Sequence, residues 1–91
     1  VSASDTLYVA DTGNSRVQKW LPGASSGITV AGQTRVSGSG LNQLNCPLAV
    51  VVDTDGYIYV SDTNNYRIMR WAPGSSYGLP IAGNVLIGGI W

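Results

Sequence analysis

From Pro47 to Gly83 the chain alternates short apolar runs with polar turns marked by proline, glycine, asparagine and aspartate, and no helical period competes with that pattern. Leu48-Ala-Val-Val-Val52 is a β-branched run between Pro47 and Asp53-Thr-Asp-Gly56, which predicts a buried strand. Tyr57-Ile-Tyr-Val-Ser61 predicts a second strand, ending at Asp62-Thr-Asn-Asn65, whose short polar side chains favour a turn by bonding local backbone. Tyr66-Arg-Ile-Met-Arg-Trp71 alternates polar and apolar positions as a third strand closed by Pro73-Gly74. Leu79-Pro-Ile-Ala82 is a fourth, placed at an edge because Pro80 has no N–H to give to a ladder.

The same text is written twice. Leu7-Tyr-Val-Ala-Asp-Thr-Gly-Asn-Ser-Arg-Val-Gln-Lys-Trp-Leu-Pro-Gly23 recurs as Ile58-Tyr-Val-Ser-Asp-Thr-Asn-Asn-Tyr-Arg-Ile-Met-Arg-Trp-Ala-Pro-Gly74, a spacing of 51 from Tyr8 to Tyr59. The first copy therefore predicts strands at Thr6–Ala10, near Ser15–Leu21 and near Ile28–Ala31. Only Val1, which aligns with Val52, stands where its first strand would end. The other terminus offers the missing part: Ile87-Gly-Gly-Ile-Trp91 followed by Val1-Ser2 matches Pro47–Val51 followed by Val52-Asp53 in length and apolar character, and across that junction the spacing is 91 − 51 = 40.

Four short antiparallel strands ending at an edge, repeated along a chain, describe the blade of a β-propeller. The expected fold class is all-β, with two four-stranded blades per chain assembling into a closed, six-bladed propeller. Residues 1–32 form the first blade, its inner strand supplied by another chain, and 33–46 form the linker. Gln33–Gln43 within it is rich in Gly and Ser and predicts an exposed loop. Residues 47–83 form the second blade, and 84–91 donate a strand to the neighbouring chain. Both ends fall inside a strand, so the expectation is a fragment of a longer propeller or an engineered one.

Pro47-x-Ala-Val-Val-Val-Asp53, Gly56-x-Ile-Tyr-Val-Ser-Asp-Thr-x-Asn-x-Arg-Ile68, Pro73-Gly74 and Ala82-Gly83 together resemble the NHL repeats of β-propellers. Leu7–Gly23 repeats the pattern, so the resemblance covers nearly the whole chain. It implies propeller blades in a ring that usually has six. The chain departs from the family in carrying two blades, and in having Ser15 and Tyr66 where a histidine often precedes the motif arginine. A propeller does not by itself specify an activity.

Composition narrows the chemistry. Five Lys and Arg balance five Asp and Glu, leaving no basic excess for phosphates, so nucleic acid and anionic membrane surfaces are not expected partners. No apolar run approaches the roughly 20 residues of a spanning helix. The chain has no histidine, which removes a histidine base and mixed zinc ligation, and no catalytic residue, metal or cofactor is expected. Asp53-Thr-Asp-Gly56 lacks the ligand spacing of a calcium loop and reads as a tight turn. Asp11 with Arg16 and Asp62 with Arg67 read as ion pairs on structural Asx turns, because the group recurs in both copies. Trp20 and Trp71 read as packing between blades, and Cys46, a single cysteine, as a passive thiol.

Three functions follow in order. The first is structural: a blade pair that closes into a ring by head-to-tail self-association, as a homotrimer with dimer and tetramer as alternatives, through an interface of Val1, Ile87, Gly88, Gly89, Ile90 and Trp91. The physical basis is that an inner strand position left open exposes backbone groups only another strand can satisfy. The second is a glycan- or peptide-binding module using a turn face that gathers Asn14, Gln33, Arg35, Asn42, Gln43, Asn64, Asn65 and Tyr66. The third, an enzyme like the lyases and hydrolases built on six-bladed propellers, lacks the histidines such metal sites need.

Overall fold

The structure is a computed structural model and describes residues 6–83. Two antiparallel sheets follow one another along the chain. The first contains β1 (Leu7–Asp11), β2 (Arg16–Trp20) and β3 (Ile28–Gly32) in that order. The second contains β4 (Pro47–Val52), β5 (Ile58–Asp62), β6 (Arg67–Trp71) and β7 (Gly78–Gly83), again in chain order. Each strand predicted within the described residues is present to within a residue or two at either end. Among the described residues β7, with Pro80, is an edge strand that pairs only with β6.

The repeat is exact in register. Leu7 faces Trp20 as Ile58 faces Trp71, Val9 faces Gln18 as Val60 faces Met69, and Asp11 faces Arg16 as Asp62 faces Arg67. Both hairpins turn through one 3₁₀ turn, Thr12–Asn14 and Thr63–Asn65, closed by left-handed Ser15 (φ 56°) and Tyr66 (φ 53°). The outermost strands share a bulge, opposite Val17/Gln18 in one sheet and Ile68/Met69 in the other.

Strand alternation sends successive side chains to opposite faces, so each sheet has two faces to cover. The second sheet turns Ile58, Val60, Met69 and Trp71 toward the first, where all four are buried. The first answers with Val17 and Ala31, with Tyr8 and Val30 packed at the margin, and β4 lies against β1. Burial of each large apolar side chain here contributes about 1.5–3 kcal/mol. Trp71 lies flat over Gly78: a Cβ at residue 78 would come within 2.6 Å of the indole. Gly32 and Gly83 have positive φ (75° and 92°), and a Cβ on either would strike the carbonyl oxygen of Ser15 or Tyr66.

One expectation needs correction. β4 is not a buried strand: Leu48 is 60% and Val51 66% exposed. Only the face carrying Val50 and Val52 meets the first sheet, and among the described residues no layer covers the other face. The segment after β3 is the exposed loop that its composition predicts, with most of residues 33–43 exposed, and its backbone is nonetheless tied down. Gln33 bridges Val36, Ser37 bridges Leu44, and Leu44 is fully buried in the common core. Its exposed side chains conceal a backbone that is tied down.

Gly78→Ala is expected to cost about 1–3 kcal/mol in urea or thermal unfolding, because the added methyl displaces a buried indole. Gly13→Ala, where nothing lies within 4 Å, should stay within about 0.5 kcal/mol of the parent.

Candidate functional site: the turn face and its two arginines

The hairpin turns of both sheets and the segment joining the sheets meet at one end of the molecule, and the recurring Asp, Asn and Arg organise it. In the second sheet the Asp62 carboxylate is fully buried. Its Oδ2 accepts from Arg67 Nε at 2.6 Å and Asn65 Nδ2 at 2.9 Å, and its Oδ1 accepts from the Asn45 N–H at 2.6 Å. The guanidinium then spends its remaining donors on backbone: Nη1 on Ser39 O at 3.0 Å, Nη2 on Gly40 O at 2.9 Å and Gln43 O at 3.1 Å. Asn65 also donates to Gly38 O at 2.8 Å. A planar fork of fixed donors suits this task, because it can bind a carboxylate on one edge and carbonyls on the other.

The first sheet holds the same group, with fewer partners among the described residues. Asp11 Oδ2 accepts from Arg16 Nε at 2.8 Å and Asn14 Nδ2 at 3.0 Å, and Arg16 Nη1 reaches Thr34 Oγ1 at 3.2 Å. The side chains of this pair remain 23% and 29% exposed, against 9% and 0% for Arg67 and Asp62. Hydrogen bonds from Asn14 and then Arg16 hold the Asp11 carboxyl below its ordinary value. Neither Asp11 nor Asp62 caps its 3₁₀ turn through its side chain. The expected Asx turns are therefore absent; the ion pairs are present, and in the second sheet the carboxylate's further partner is remote in sequence.

Of the amides expected to offer a ligand face, several are committed internally. Asn14 and Asn65 serve the two carboxylates, Gln43 Oε1 accepts from the Gly40 N–H at 3.0 Å, and Asn64 Nδ2 donates to Asn45 Oδ1 at 3.2 Å. Gln33 and Asn42 come together with Trp71 around a cleft of about 310 Å³. Arg35 is exposed at φ 61°, its N–H bonded to Asn14 O at 2.8 Å, and Tyr66 is 65% exposed. The expected interface residues Val1, Ile87, Gly88, Gly89, Ile90 and Trp91 lie outside the described residues.

Asp53-Thr-Asp-Gly56 forms the tight turn its sequence predicts. Gly56 donates to Asp53 O at 3.1 Å, and the Asp53 carboxylate accepts from the N–H groups of Asp55 and Tyr57 and from the Tyr59 hydroxyl. Desolvation raises the Asp53 pKa, but those hydrogen bonds outweigh it and the net shift is downward. Among the described residues no cluster of His, Cys, Asp or Glu could hold a metal ion. Away from the turns, a second cleft of about 380 Å³ opens between the sheets, bordered by Tyr8, Lys19, Thr29, Ile58, Pro73 and Ser75. Sequence reading did not find it, because its two walls belong to different sheets; alternation does place Tyr8 and Lys19 on one face.

The fold and its turn face define an all-β chain made of a twice-written antiparallel sheet unit. Residues 44–70 match the NHL repeat family, and this segment carries the buried Asp62–Arg67 pair. Over those residues the match bears out the resemblance read from the motif residues. No curated protein matches the chain.

Arg67→Ala is expected to cost roughly 3–5 kcal/mol in chemical denaturation, because it leaves a buried carboxylate without its cation. Arg16→Ala, at the more exposed pair, should cost under about 1 kcal/mol. The lowered Asp11 pKa makes a stabilising contribution that is complete above the ordinary carboxylate value of 3.8 and is lost as pH falls through the lowered value. Asp11→Asn should therefore flatten the acid limb of the stability–pH curve without altering the curve near neutrality in shape.

Proposed function

We propose that the chain is a blade-pair building block, structural rather than catalytic, whose copies pack head to tail into a closed propeller ring. One observation carries the reading. The face that the first sheet turns away from the second is the repeat of the face that the second sheet buries. Ile58 is 5% exposed and Val60 fully buried, while their counterparts Leu7 and Val9 are 44% and 38% exposed. The converse holds on the far side: Val17 is fully buried against the second sheet, and its counterpart Ile68 is only half-buried on a face shared with the exposed Val51.

A second copy can therefore repeat, between chains, the contact already made within one. Such a contact joins two different faces, and a heterologous contact repeated through a closing rotation gives a ring. Two blades per chain make three chains the number that supplies the six blades usual for NHL rings. Charge favours close approach, since the formal net charge is zero and like-charge repulsion between copies is small.

A second reading rests on the cleft beside Gln33 and Asn42, whose two amides suit a glycan or short peptide. Failure of glycan and peptide panels to bind the assembled protein would remove it.

Sedimentation of the chain is expected to give a multiple of 9.5 kDa, most readily a trimer, and Leu7→Asp or Val9→Asp should return it to the single-chain mass. A single-chain mass at every concentration would sink the reading.

A further inference from the structure

We infer that the cleft between the two sheets, with Lys19 on its wall, is a binding site for a small monocarboxylate that carries an apolar body. The cleft lies within one chain and depends neither on assembly nor on the turn face.

The ligand class follows from what borders the cleft. It holds about 380 Å³, within the roughly 300–1,000 Å³ usual for small-molecule sites. Tyr8, Lys19 and Ile28 face one another across β1, β2 and β3, so the three side chains rise from one face of the first sheet. Val30, Ile58 and Pro73 extend the apolar wall, the last two from the second sheet. The bordering hydroxyls of Thr29 and Ser75 are bonded within the fold, Thr29 donating to Gln18 Oε1 at 2.6 Å and Ser75 to Tyr77 O at 2.8 Å. Lys19 is the one charged residue on the lining, and no Asp or Glu borders the cleft. It is half-buried and takes part in neither of the two ion pairs among the described residues.

A cation partly removed from water gains from an anion brought to it, and more strongly than it would in bulk solvent. One such cation matches one negative charge, whereas a doubly charged phosphate would leave a charge uncompensated against apolar wall. That wall in turn selects a ring or alkyl body behind the carboxylate, because apolar surface there leaves water when the ligand enters.

The repeat shows why Lys19 is available. Its counterpart is Arg70, which faces Tyr59 and Leu79 as Lys19 faces Tyr8 and Ile28. Arg70 is engaged within its own sheet, its guanidinium carbon 5.1 Å from the centroid of the Tyr57 ring, where the ring face attracts a cation. Tyr77 borders the same spot. The first copy has Thr6 and Ser26 at the positions of Tyr57 and Tyr77. Neither side chain has a π face, so at those positions nothing does for Lys19 what Tyr57 does for Arg70. The two copies thus diverge from aromatic to small at the residues that engage the cation.

The test titrates the full isotope-labelled chain with benzoate and follows it by heteronuclear NMR. Saturable shifts are expected at the backbone N–H groups of residues 28–30 and 74–75. Lys19→Gln should weaken binding about tenfold or more, and Lys19→Arg should keep it within about threefold. Thr6→Tyr, which restores the aromatic partner of the repeat, should weaken it about as much as Lys19→Gln. Benzyl alcohol has the body without the charge and acetate the charge without the body; each should bind at least about tenfold more weakly than benzoate. Arg35→Gln removes an exposed cation that does not border the cleft and should leave benzoate binding unchanged. Dispersion of the amide spectrum checks that each variant is folded. Absence of shifts at those N–H groups, shifts that Lys19→Gln leaves intact, or equal loss in Arg35→Gln overturns the site. Benzyl alcohol or inorganic phosphate binding as tightly as benzoate overturns the monocarboxylate as its ligand.

Discussion

Two stacked sheets have four faces and can cover only two of them. Everything about this chain depends on that count. The second sheet buries Ile58, Val60, Met69 and Trp71 against the first, and the core of the molecule is the layer between them. The outer faces carry the same kinds of residue by repetition, so Leu7 and Val9 are left where their counterparts are buried, and Val51 stands exposed on the far side. Repetition thus leaves exposed, among the described residues, one copy of residues whose other copy is buried between the sheets.

The polar end of the fold obeys the same logic with hydrogen bonds in place of apolar area. A buried carboxylate is costly unless it is paired and its oxygens are all satisfied, and Asp62 meets both conditions through Arg67, Asn65 and the Asn45 N–H. The guanidinium, held by that carboxylate, in turn orders a Gly- and Ser-rich segment that has little apolar surface of its own to bury. Leu44 is the exception, and its burial with the arginine fork fixes where the chain enters β4. The contacts made by residues 38–45 therefore go with a buried Asp62–Arg67 pair, while the Asp11–Arg16 pair stays partly exposed.

The strands were legible because their signals are local. β-branched and aromatic residues, alternation at Tyr66–Trp71, and Pro or Gly at the ends placed all seven to within a residue or two. The turn at Asp53–Gly56 was legible for the same reason, its hydrogen bonds spanning at most six residues. The segment after β3 was legible as an exposed loop, but the order of its backbone was not, because that order comes from Arg67 and Asn65, which lie about 24 to 28 residues away along the chain. Loop composition describes the side chains, and here the backbone is what is held. The amides of the turn face were likewise legible as polar and clustered, while their commitment to carboxylates and carbonyls within the fold was not.

The sequence by itself determined the repeat, the strands, the edge at Pro80 and the pairing of Asp11 with Arg16 and Asp62 with Arg67, all of which follow from residue type and spacing. Only the tertiary structure decided which copy of each repeated residue is covered. Trp20 and Trp71, Val9 and Val60, Asp11 and Asp62 are equivalent in the text of the chain. They differ because one sheet has a neighbour on the face in question and the other, among the described residues, has none; burial belongs to the stacking of sheets, which no position in a repeat encodes.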